Sequence, residues 1–519
     1  MLYYITLGLL VNTSAPYNTT PMRILIRFSG EITVKKRLTR RRFLERLAHN
    51  VRDALQTTAR PFTLSLESNR LVVETDSPEA PTLLCRVFGV QSVSCVERRP
   101  FTTLGDIVTW GTELFQTTVS GKRFAVRARR LAQARTLPFS SLEIERELGA
   151  ALRPFAQRVD LENPDVTVFV EVSSQHVDLF TEKLSGPGGL PVGASGRAAS
   201  LLSGGFDSAV ASWLMLKRGI AVDYVFCKLG GSLHERGALH VAKVLTDRWS
   251  YGSFPRFYSL DFGPITTHIQ ERVHPRYWQV ILKRCMYRAA ESIARRSELI
   301  GIVTGESIGQ VSSQTLQNLA VISQATTAPL WRPLLGFNKD EIIALARRIG
   351  TYEYSVTVAE YCAILPKRPA TAASLADVLA EEEKLDMSLL DKALEDVRTY
   401  DLRRLVLSAL ELPALEIEEI PSDAVVIDLR SPQSYRAWHY PGAIFKDFGS
   451  ALKEYPSWDK SRVYVLYCEI GLKSAHLAEL MHHAGFTVFH FKGGFAALVQ
   501  YALERGLIPP EILPASAWA

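Results

Sequence analysis

The segment Leu201-Leu202-Ser203-Gly204-Gly205-Phe206-Asp207-Ser208 joins an apolar lead-in to a short loop of small and polar residues. The apolar residues ending at Leu202 predict a buried parallel strand, and residues 209–218 predict the helix that follows. Backbone N–H groups between a strand and a helix N-terminus can face a bound anion. The glycines let the backbone approach a phosphate closely, the serine hydroxyls add donors, and Asp207 can hold Mg²⁺. The segment therefore predicts a phosphate-binding loop.

No Gly-Lys-Ser/Thr follows this loop, which excludes the Walker pattern. The Ser-Gly-Gly-x-Asp-Ser order resembles the loop of the PP-loop ATP pyrophosphatases, which cleave ATP to AMP and pyrophosphate to adenylate a substrate. An ordinary glycine-rich turn is the alternative interpretation. Residues 196–380 alternate strands and helices, which predicts a doubly wound parallel sheet with its ligand at the carboxyl ends of the strands. Lys283, Gly305, Gln310 and Gln314 are expected to converge there, whereas Arg284 is expected to be a charge on a helix surface.

Composition predicts a multidomain globular protein. The 519 residues are 47% apolar and 22% charged, which indicates about three or four domains. The net charge of +6 permits an anionic partner without identifying one. The six cysteines contain no C-x-x-C pair, which argues against a structural zinc site or an iron–sulfur cluster and favours a reduced, cytoplasmic setting. No apolar run has the length of a membrane span, so no membrane association is expected.

The N-terminal half carries a basic stretch beside an apolar helix face. Residues 23–28 predict a strand, and the cations that follow meet few local acids. Phe43, Leu44, Leu47 and Val51 recur at helical spacing, so the helix is predicted to be basic on one side and apolar on the other. Such a charge run often marks only a solvated face, but cations without acidic partners favour a phosphate backbone. The cations predicted to contact nucleic acid are Lys35, Lys36, Arg37, Arg40 and Arg41, with Arg127 and Arg129 on a later strand.

Residues 82–185 continue in strand–helix alternation. Their segments resemble a THUMP domain, a module that docks on the acceptor end of tRNA, preceded by a ferredoxin-like domain over residues 22–81. An α/β module that binds nothing is the alternative.

The last domain, residues 421–519, delivers a cysteine at the end of an apolar strand. Residues 463–467 predict the strand, and Cys468 opens a compact loop that leads into a helix. Backbone N–H groups at a helix N-terminus favour a thiolate. The domain resembles a rhodanese domain, whose cysteine carries sulfur as a persulfide. Supporting segments are residues 428–430, 439–443 and 492–495.

Taken in order, these segments resemble the long form of the ThiI family, the tRNA 4-thiouridine synthetases, from Met22 to about Phe495. The resemblance implies an α/β multidomain fold. Its parts are a dispensable extension at 1–21 (or a natural start at Met22), a ferredoxin-like domain at 22–81, THUMP at 82–185, a PP-loop domain at 196–380, a helical linker at 381–420 and rhodanese at 421–519.

Carried over by position, the family's catalytic acid falls on Asp207, which is also the expected Mg²⁺ ligand, and its essential lysine falls on Lys339. Its redox-active disulfide pair falls on Cys362 and Cys468, although the residues around Cys362 alone leave open whether that thiol is reactive or an inert core residue. The chain departs from the family pattern at Phe206 and Lys473. The ATP site falls on Leu201, Leu202, Ser203, Gly204, Gly205, Asp207, Ser208, Lys283, Gly305 and Gln314.

The resemblance implies a tRNA sulfurtransferase that uses ATP and Mg²⁺ to adenylate O4 of a tRNA uridine. Sulfur from a cysteine desulfurase, carried as a persulfide on Cys468, then replaces AMP, and a reductant reopens the disulfide formed with Cys362. Two alternatives stay open at this point: a sulfur carrier that serves only thiamine thiazole synthesis, and a non-catalytic tRNA-binding module. A homodimer would let tRNA use the THUMP domain of one subunit and the active site of the other.

Overall fold

The computed structural model describes residues 21–67, 70–131, 134, 136–229, 231–357, 368–407 and 415–507. The predictions for Cys362 and for the extension before Pro21 lie outside these residues. Clustering of the chain gives two compact units. The first contains the residues up to Ser195 with 216–220 and 248–253, and the second contains the remainder. Within the described ranges, no helix is both long and apolar enough to cross a membrane.

The first unit is built on a mixed sheet in which the strand order is β2-β3-β1-β4-β8-β7-β5-β6, with β9 paired to β4. The predicted strand at 23–28 is confirmed as β1, and the predicted strand that carries Arg127 and Arg129 is confirmed as β5. The strands are β1 (Met22–Phe28), β2 (Phe62–Glu67), β3 (Arg70–Thr75), β4 (Val90–Pro100), β5 (Arg123–Arg130), β6 (Arg158–Val159), β7 (Val166–Val172), β8 (His176–Phe180) and β9 (Leu184–Ser185).

Helices cover this sheet and divide its apolar side chains between two main cores. The helices are α1 (Gly30–Thr33), α2 (Arg37–Gln56), α3 (Ala80–Leu84), α4 (Leu104–Phe115) and α5 (Ser141–Leu152). The apolar face of α2 is buried as its spacing predicts. Thr103 and Ser140 begin α4 and α5 with capping boxes, because each side chain accepts an N–H that the helix itself leaves unpaired.

The second unit begins with the predicted parallel sheet, whose strand order is β14-β13-β10-β11-β12-β15. Its strands are β10 (Arg197–Leu201), β11 (Ala221–Lys228), β12 (Arg256–Asp261), β13 (Ile302–Val303), β14 (Leu330–Trp331) and β15 (Arg398–Asp401). All pairs are parallel except β12 with β15. The chain runs outward from β10 on both sides, so the strand order reverses there, and this is where open α/β sheets bind ligands.

The helices of this domain are α6 (Phe206–Lys217), α7 (Ser232–Trp249), α8 (Gly263–Arg272), α9 (Trp278–Arg296), α10 (Leu316–Ser323), α11 (Lys339–Ile349), α12 (Tyr352–Thr357), α13 (Leu375–Glu382) and α14 (Ser388–Glu395). The prediction of a helical linker over 381–420 is wrong in part. Leu390 and Leu394 of α14 join the core of this domain, and β15 pairs with β12 at the edge of its sheet. The domain therefore extends at least to Asp401.

The C-terminal domain has a smaller parallel sheet in the order β16-β20-β19-β17-β18. Its elements are β16 (Glu416–Ile417), β17 (Val425–Asp428), α15 (Pro432–Ala437), β18 (Ile444–Phe445), α16 (Phe448–Glu454), β19 (Val463–Tyr467), α17 (Leu472–His483), β20 (Thr487–Phe491) and α18 (Gly494–Glu504). The strands bury apolar side chains in two separate clusters. Cys468 follows β19 directly, as the sequence predicts.

Candidate active site

The loop after β10 is ordered by its own hydroxyl groups. Ser208 Oγ donates to the carbonyl of Gly205 at 3.1 Å, and the N–H of Ser203 donates to Ser208 Oγ at 3.1 Å. Helix α6 begins at Phe206, earlier than the predicted Ala209, so Asp207 and Ser208 belong to its first turn. Leu202 is buried beneath the loop and Ser203 is exposed. The N–H groups at the start of α6 are thus arranged as the predicted phosphate-binding loop requires.

Asp207 and Lys339 meet in the structure, although 132 residues separate them in the chain. Lys339 Nζ lies 3.0 Å from Asp207 Oδ1 and 3.1 Å from Oδ2. Gln310 Nε2 donates to Asp207 Oδ2 at 2.9 Å. Lys339 is held where α11 begins, because Asn338 caps that helix in a capping box with Glu341. The carboxylate therefore fixes a cation and an amide at the opening of the phosphate-binding loop.

Gly305 packs against the loop itself. A Cβ at this position would lie 2.6 Å from both the carbonyl carbon of Asp207 and the backbone nitrogen of Ser208. These distances are shorter than any side chain tolerates, so a larger residue would displace the start of α6. The glycine thus permits close contact between the end of β13 and the loop, in addition to the nucleotide contact that the sequence suggested.

A buried carboxylate next to Gly305 organises two further cations. Glu306 is 4% exposed, and its Oε1 accepts from Lys283 Nζ at 3.0 Å. Its Oε2 accepts from Tyr287 Oη at 2.6 Å and from Arg332 Nε at 2.7 Å. Burial acts to raise the pKa of Glu306, but Lys283, followed by the hydrogen bonds from Tyr287 and Arg332, outweighs it and lowers the pKa to about 2. Glu306 is therefore a permanent anion that orients both cations.

Sequence reasoning missed the roles of Glu306 and Arg332. The signal available was the position of Glu306 directly after Gly305 at the end of a predicted strand, where a buried charge usually has a partner. Gln314 also has a structural contact, because its Oε1 accepts the N–H of Ser307 at 3.2 Å, and its expected contact with the nucleotide stays a prediction. That hydrogen bond closes the loop that carries Gln310.

The prediction that Arg284 is a helix-surface charge is wrong. Its side chain is 2% exposed and forms a bidentate pair with Glu382 at 2.7 and 2.9 Å. Arg288, on the same helix α9, donates to the same carboxylate. The partner comes from α13, 98 residues away, so the helical spacing around Arg284 could not reveal its burial.

The second candidate site of this unit is the loop that begins at Cys468. It is 2% exposed, and its Sγ lies 3.5 Å from Ser474 Oγ, which also donates to the carbonyl of Gly471. Gly471 caps α17, so the loop from Cys468 winds into a helix N-terminus as predicted. The N–H of Phe495 donates to the carbonyl of Glu469 and holds the loop from its other side. The Cys468 sulfur is thus buried beside the Ser474 hydroxyl, at the start of a loop that hydrogen bonds hold from two sides.

The loop rests on a fully buried ion pair. Asp428 and Arg430 are joined at 2.7 Å with side chains that are 0% and 2% exposed. Tyr467 Oη, at the end of β19, donates to Asp428 Oδ2 at 2.7 Å. Burial, followed by the hydrogen bond to Asp428, raises the pKa of Tyr467, so the phenol stays protonated as a donor. The pair fixes the residue that directly precedes Cys468.

The first unit presents the predicted cations on its surface. Lys35, Lys36, Arg37 and Arg41 are exposed and Arg40 is half-buried. One expectation needs correction, because Arg41 does have a local acidic partner, Glu45, at 2.7 Å. Arg127 and Arg129 are exposed on β5, and Arg127 also donates to the carbonyl of Leu161.

Near Arg129, further cations lie around the buried carboxylate of Glu171. Arg27 and Arg70 both contact Glu171, and Lys183 lies over the ring of Phe169. Burial and the neighbouring Arg27 lower the pKa of Lys183. The local excess of positive charge suits an anionic partner.

In the described part of the chain, no cluster of three or more His, Cys, Asp or Glu side chains is arranged to hold a metal.

Four family models match the chain in consecutive segments. Their descriptions are the ThiI ferredoxin-like domain over residues 23–94, the THUMP domain over 101–182, the thiamine biosynthesis protein ThiI over 193–387 and the rhodanese-like domain over 414–500. Together with the geometry above, these matches define a PP-loop protein with an N-terminal THUMP region and a C-terminal rhodanese domain.

Relatives extend this likeness over almost the whole chain. A tRNA sulfurtransferase of Desulfurococcus amylolyticus is 39% identical over 91% of this chain and 97% of its own length, and one of Proteus mirabilis is 35% identical over 90% and 98%. A crystal structure of a 4-thiouridine synthetase–RNA complex with bound ATP is similar at a TM-score of 0.65 and 29% identity, covering 73% of this chain and 99% of that one. The chain belongs to the ThiI family of tRNA sulfurtransferases, which confirms the family resemblance.

Proposed function

We propose that this protein is an ATP-dependent tRNA sulfurtransferase that converts a tRNA uridine to 4-thiouridine. The observation that carries the proposal is the combination, in one chain, of a PP-loop whose Asp207 holds Lys339 and a rhodanese loop built around Cys468. The names of the relatives support the substrate and the product.

In the first half-reaction, the uridine O4 attacks the α-phosphate of ATP, and pyrophosphate leaves. The loop from Ser203 to Ser208 would bind the phosphates through its N–H groups, and Lys339 and Lys283 would neutralise the charge that develops on the leaving pyrophosphate. Asp207 orients Lys339 at 3.0 Å, and Glu306 orients Lys283 at 3.0 Å. O4 becomes part of an AMP leaving group, which makes C4 open to attack by sulfur.

Asp207 also suits the Mg²⁺ that ATP brings. Magnesium sites usually combine one or two carboxylates with substrate phosphates, and Asp207 is a partly exposed carboxylate beside the phosphate-binding loop. The ion would supply charge neutralisation at the phosphates.

In the second half-reaction, the terminal sulfur of a Cys468 persulfide attacks C4, and AMP leaves. The thiolate of Cys362 then attacks the Cys468 sulfur, which breaks the bond to the transferred sulfur and releases 4-thiouridine. A Cys362–Cys468 disulfide remains, and a thiol reductant supplies the two electrons that reopen it. A cysteine desulfurase would supply the persulfide sulfur. The reaction needs reduced thiols and tRNA, so we place it in the cytoplasm, and a homodimer would pair the tRNA-binding unit of one subunit with the active site of the other.

The direct test separates the two half-reactions in the full-length protein. In a single turnover, Cys468→Ala should release pyrophosphate and adenylate tRNA at the wild-type rate, and it should form no 4-thiouridine from desulfurase-derived sulfur. If this variant still thiolates tRNA with that sulfur, the proposed route through Cys468 fails.

A second function, sulfur supply for the thiazole of thiamine, is favoured by the description of the matching family model, thiamine biosynthesis protein. A strain that lacks this protein would then need thiazole for growth. Complementation with Lys339→Met and with Cys468→Ala separates the functions, because thiazole supply needs the persulfide but not adenylation.

A further inference from the structure

A contact between two helices of the second unit links the rhodanese domain to the PP-loop domain. The backbone N–H of Ser232, in the first turn of α7, donates to Glu479 Oε2 of α17 at 2.8 Å. A Cβ at Gly231 would lie 2.4 Å from that same oxygen and 3.1 Å from Nδ1 of His476. A larger residue at position 231 would displace the Glu479 carboxylate, so the glycine allows the turn and the helix face to pack closely.

The contact lies at the carboxyl ends of the strands in the sheet that carries the phosphate-binding loop. Strand β11 ends at Lys228 and α7 begins four residues later, at the carboxyl end of the strand next to β10. His234 of α7 is 6% exposed and hydrogen-bonds the backbone of Ser203, the first residue of the loop. His476 of α17 acts electrostatically on His234. The structure thus connects the loop, α7 and α17 in one continuous set of contacts.

The other end of α17 shapes the cysteine loop. The helix begins at Leu472, four residues after Cys468, and Ser474 Oγ lies 3.5 Å from the sulfur. Glu479 is therefore on the same rigid element as the wall of the sulfur site, less than two turns beyond Ser474. A helix that docks through Glu479 also fixes the direction in which the Cys468 loop faces the PP-loop domain.

We propose that the α7–α17 contact, formed by the Gly231–Ser232 turn and the Glu479–His476 face, is the docking surface at which the rhodanese domain delivers its sulfur. This inference rests on the proposed function and assigns a position to its sulfur-transfer step. Charged groups frame the contact: Lys228 and Asp261, at the ends of β11 and β12, both act on His476. The interaction of the Glu479 carboxylate with the N-terminus of α7 is favourable but involves few groups. Such a surface suits a domain that must detach so that Cys468 can be loaded with sulfur again.

The test compares three activities of the full-length protein. Sulfur transfer from thiosulfate to cyanide reports the Cys468 loop. Single-turnover pyrophosphate release from ATP and tRNA reports the PP-loop domain, and single-turnover transfer from preloaded Cys468 persulfide to tRNA reports docking. Glu479→Arg should slow the third about tenfold, the value of a charge-assisted hydrogen bond, and leave the first two within about twofold. Glu479→Gln, which keeps an acceptor oxygen, should retain most of the transfer rate.

Glu504→Arg is the matched control, because it makes the same charge change on α18, where the carboxylate accepts from Gln500. It should leave all three activities unchanged. Equal transfer rates in Glu479→Arg and the control would overturn the proposal. A parallel loss of the thiosulfate activity in Glu479→Arg would also overturn it, because the residue would then serve the fold of the rhodanese domain.

A cross-link makes the docking testable without any catalysis. Ser232→Cys with Glu479→Cys should form a disulfide under mild oxidation, detected by peptide mass spectrometry, while Ser232→Cys with Glu504→Cys should not. If wild-type protein makes no 4-thiouridine but the cross-link forms, the proposed function fails and the docking surface stands. If the cross-link does not form in active protein, the docking surface fails alone.

Discussion

Replacing Glu306 with glutamine tests whether a buried charge holds the ATP-site cations. Glu306→Gln keeps the shape of the side chain but leaves Lys283 and Arg332 without their shared anion. The pKa of Glu306 is about 2 against an ordinary 4.5, which corresponds to about 3 kcal/mol of stabilisation of the charged form. Removal of one member of a buried ion pair typically costs about 3–5 kcal/mol, which agrees in size. We expect the free energy of hydrogen-exchange protection of the α9 amides to fall by about 3 kcal/mol and the KM for ATP to rise.

Native-state hydrogen exchange of the amides of α9, Trp278–Arg296, measures this loss locally and avoids the assumption that a multidomain chain unfolds in one step. Glu383→Gln, an exposed site in the same domain, is the control and should change protection by less than about 0.5 kcal/mol. Because the pKa of Glu306 is lowered in the folded state, its contribution is complete above about pH 4.5 and is lost as the pH falls towards 2. The two proteins should therefore converge in acid. Equal protection of wild type and Glu306→Gln at neutral pH would refute the assignment.

Three further outcomes follow from contacts already described. Lys339→Met should reduce the rate of pyrophosphate release from ATP and tRNA about 10²–10³-fold, because Asp207 loses the cation that it holds beside the phosphate-binding loop. Arg129→Ala should weaken tRNA binding at all sequences and reduce the slope of log Kd against log salt by about one, measured by filter binding. Arg284→Met should lower the hydrogen-exchange protection of the α9 amides by about 3 kcal/mol, because Glu382 stays buried with one fewer partner.

Each of these outcomes has a contradicting result. Normal pyrophosphate release by Lys339→Met would separate that lysine from adenylation. An unchanged salt slope in Arg129→Ala would mean that the side chain makes no phosphate contact. Unchanged protection of the α9 amides in Arg284→Met would mean that the buried pair with Glu382 contributes no net stability.

The sequence predicts those parts of the site that are carried by short contiguous segments. The loop from Ser203 to Ser208 and the loop that begins at Cys468 each contain a strand end, small residues and a helix start, so their local structure follows from local pattern. The alternation of strands and helices likewise predicts the parallel sheets. Cys362 lies outside the described residues, and its disulfide with Cys468 stays a prediction.

What the sequence could not supply are contacts between residues distant in the chain. Glu306 has partners from α9 and from the end of β14, and its position after a predicted strand does not show which cations these are. The strand β15 reads Arg-Thr-Tyr-Asp, with little apolar character, and forms because β12 offers it an edge to pair with. The sequence therefore predicted a helical linker over these residues, whereas pairing with β12 makes residues 398–401 a strand.

The most direct test of the central claim is nucleoside mass spectrometry of bulk tRNA from cells with and without this protein. We predict that 4-thiouridine disappears when the protein is deleted, returns with the wild-type chain and does not return with Cys468→Ala. Unchanged 4-thiouridine after deletion would contradict the claim, and full recovery with Cys468→Ala would contradict the assigned role of that cysteine.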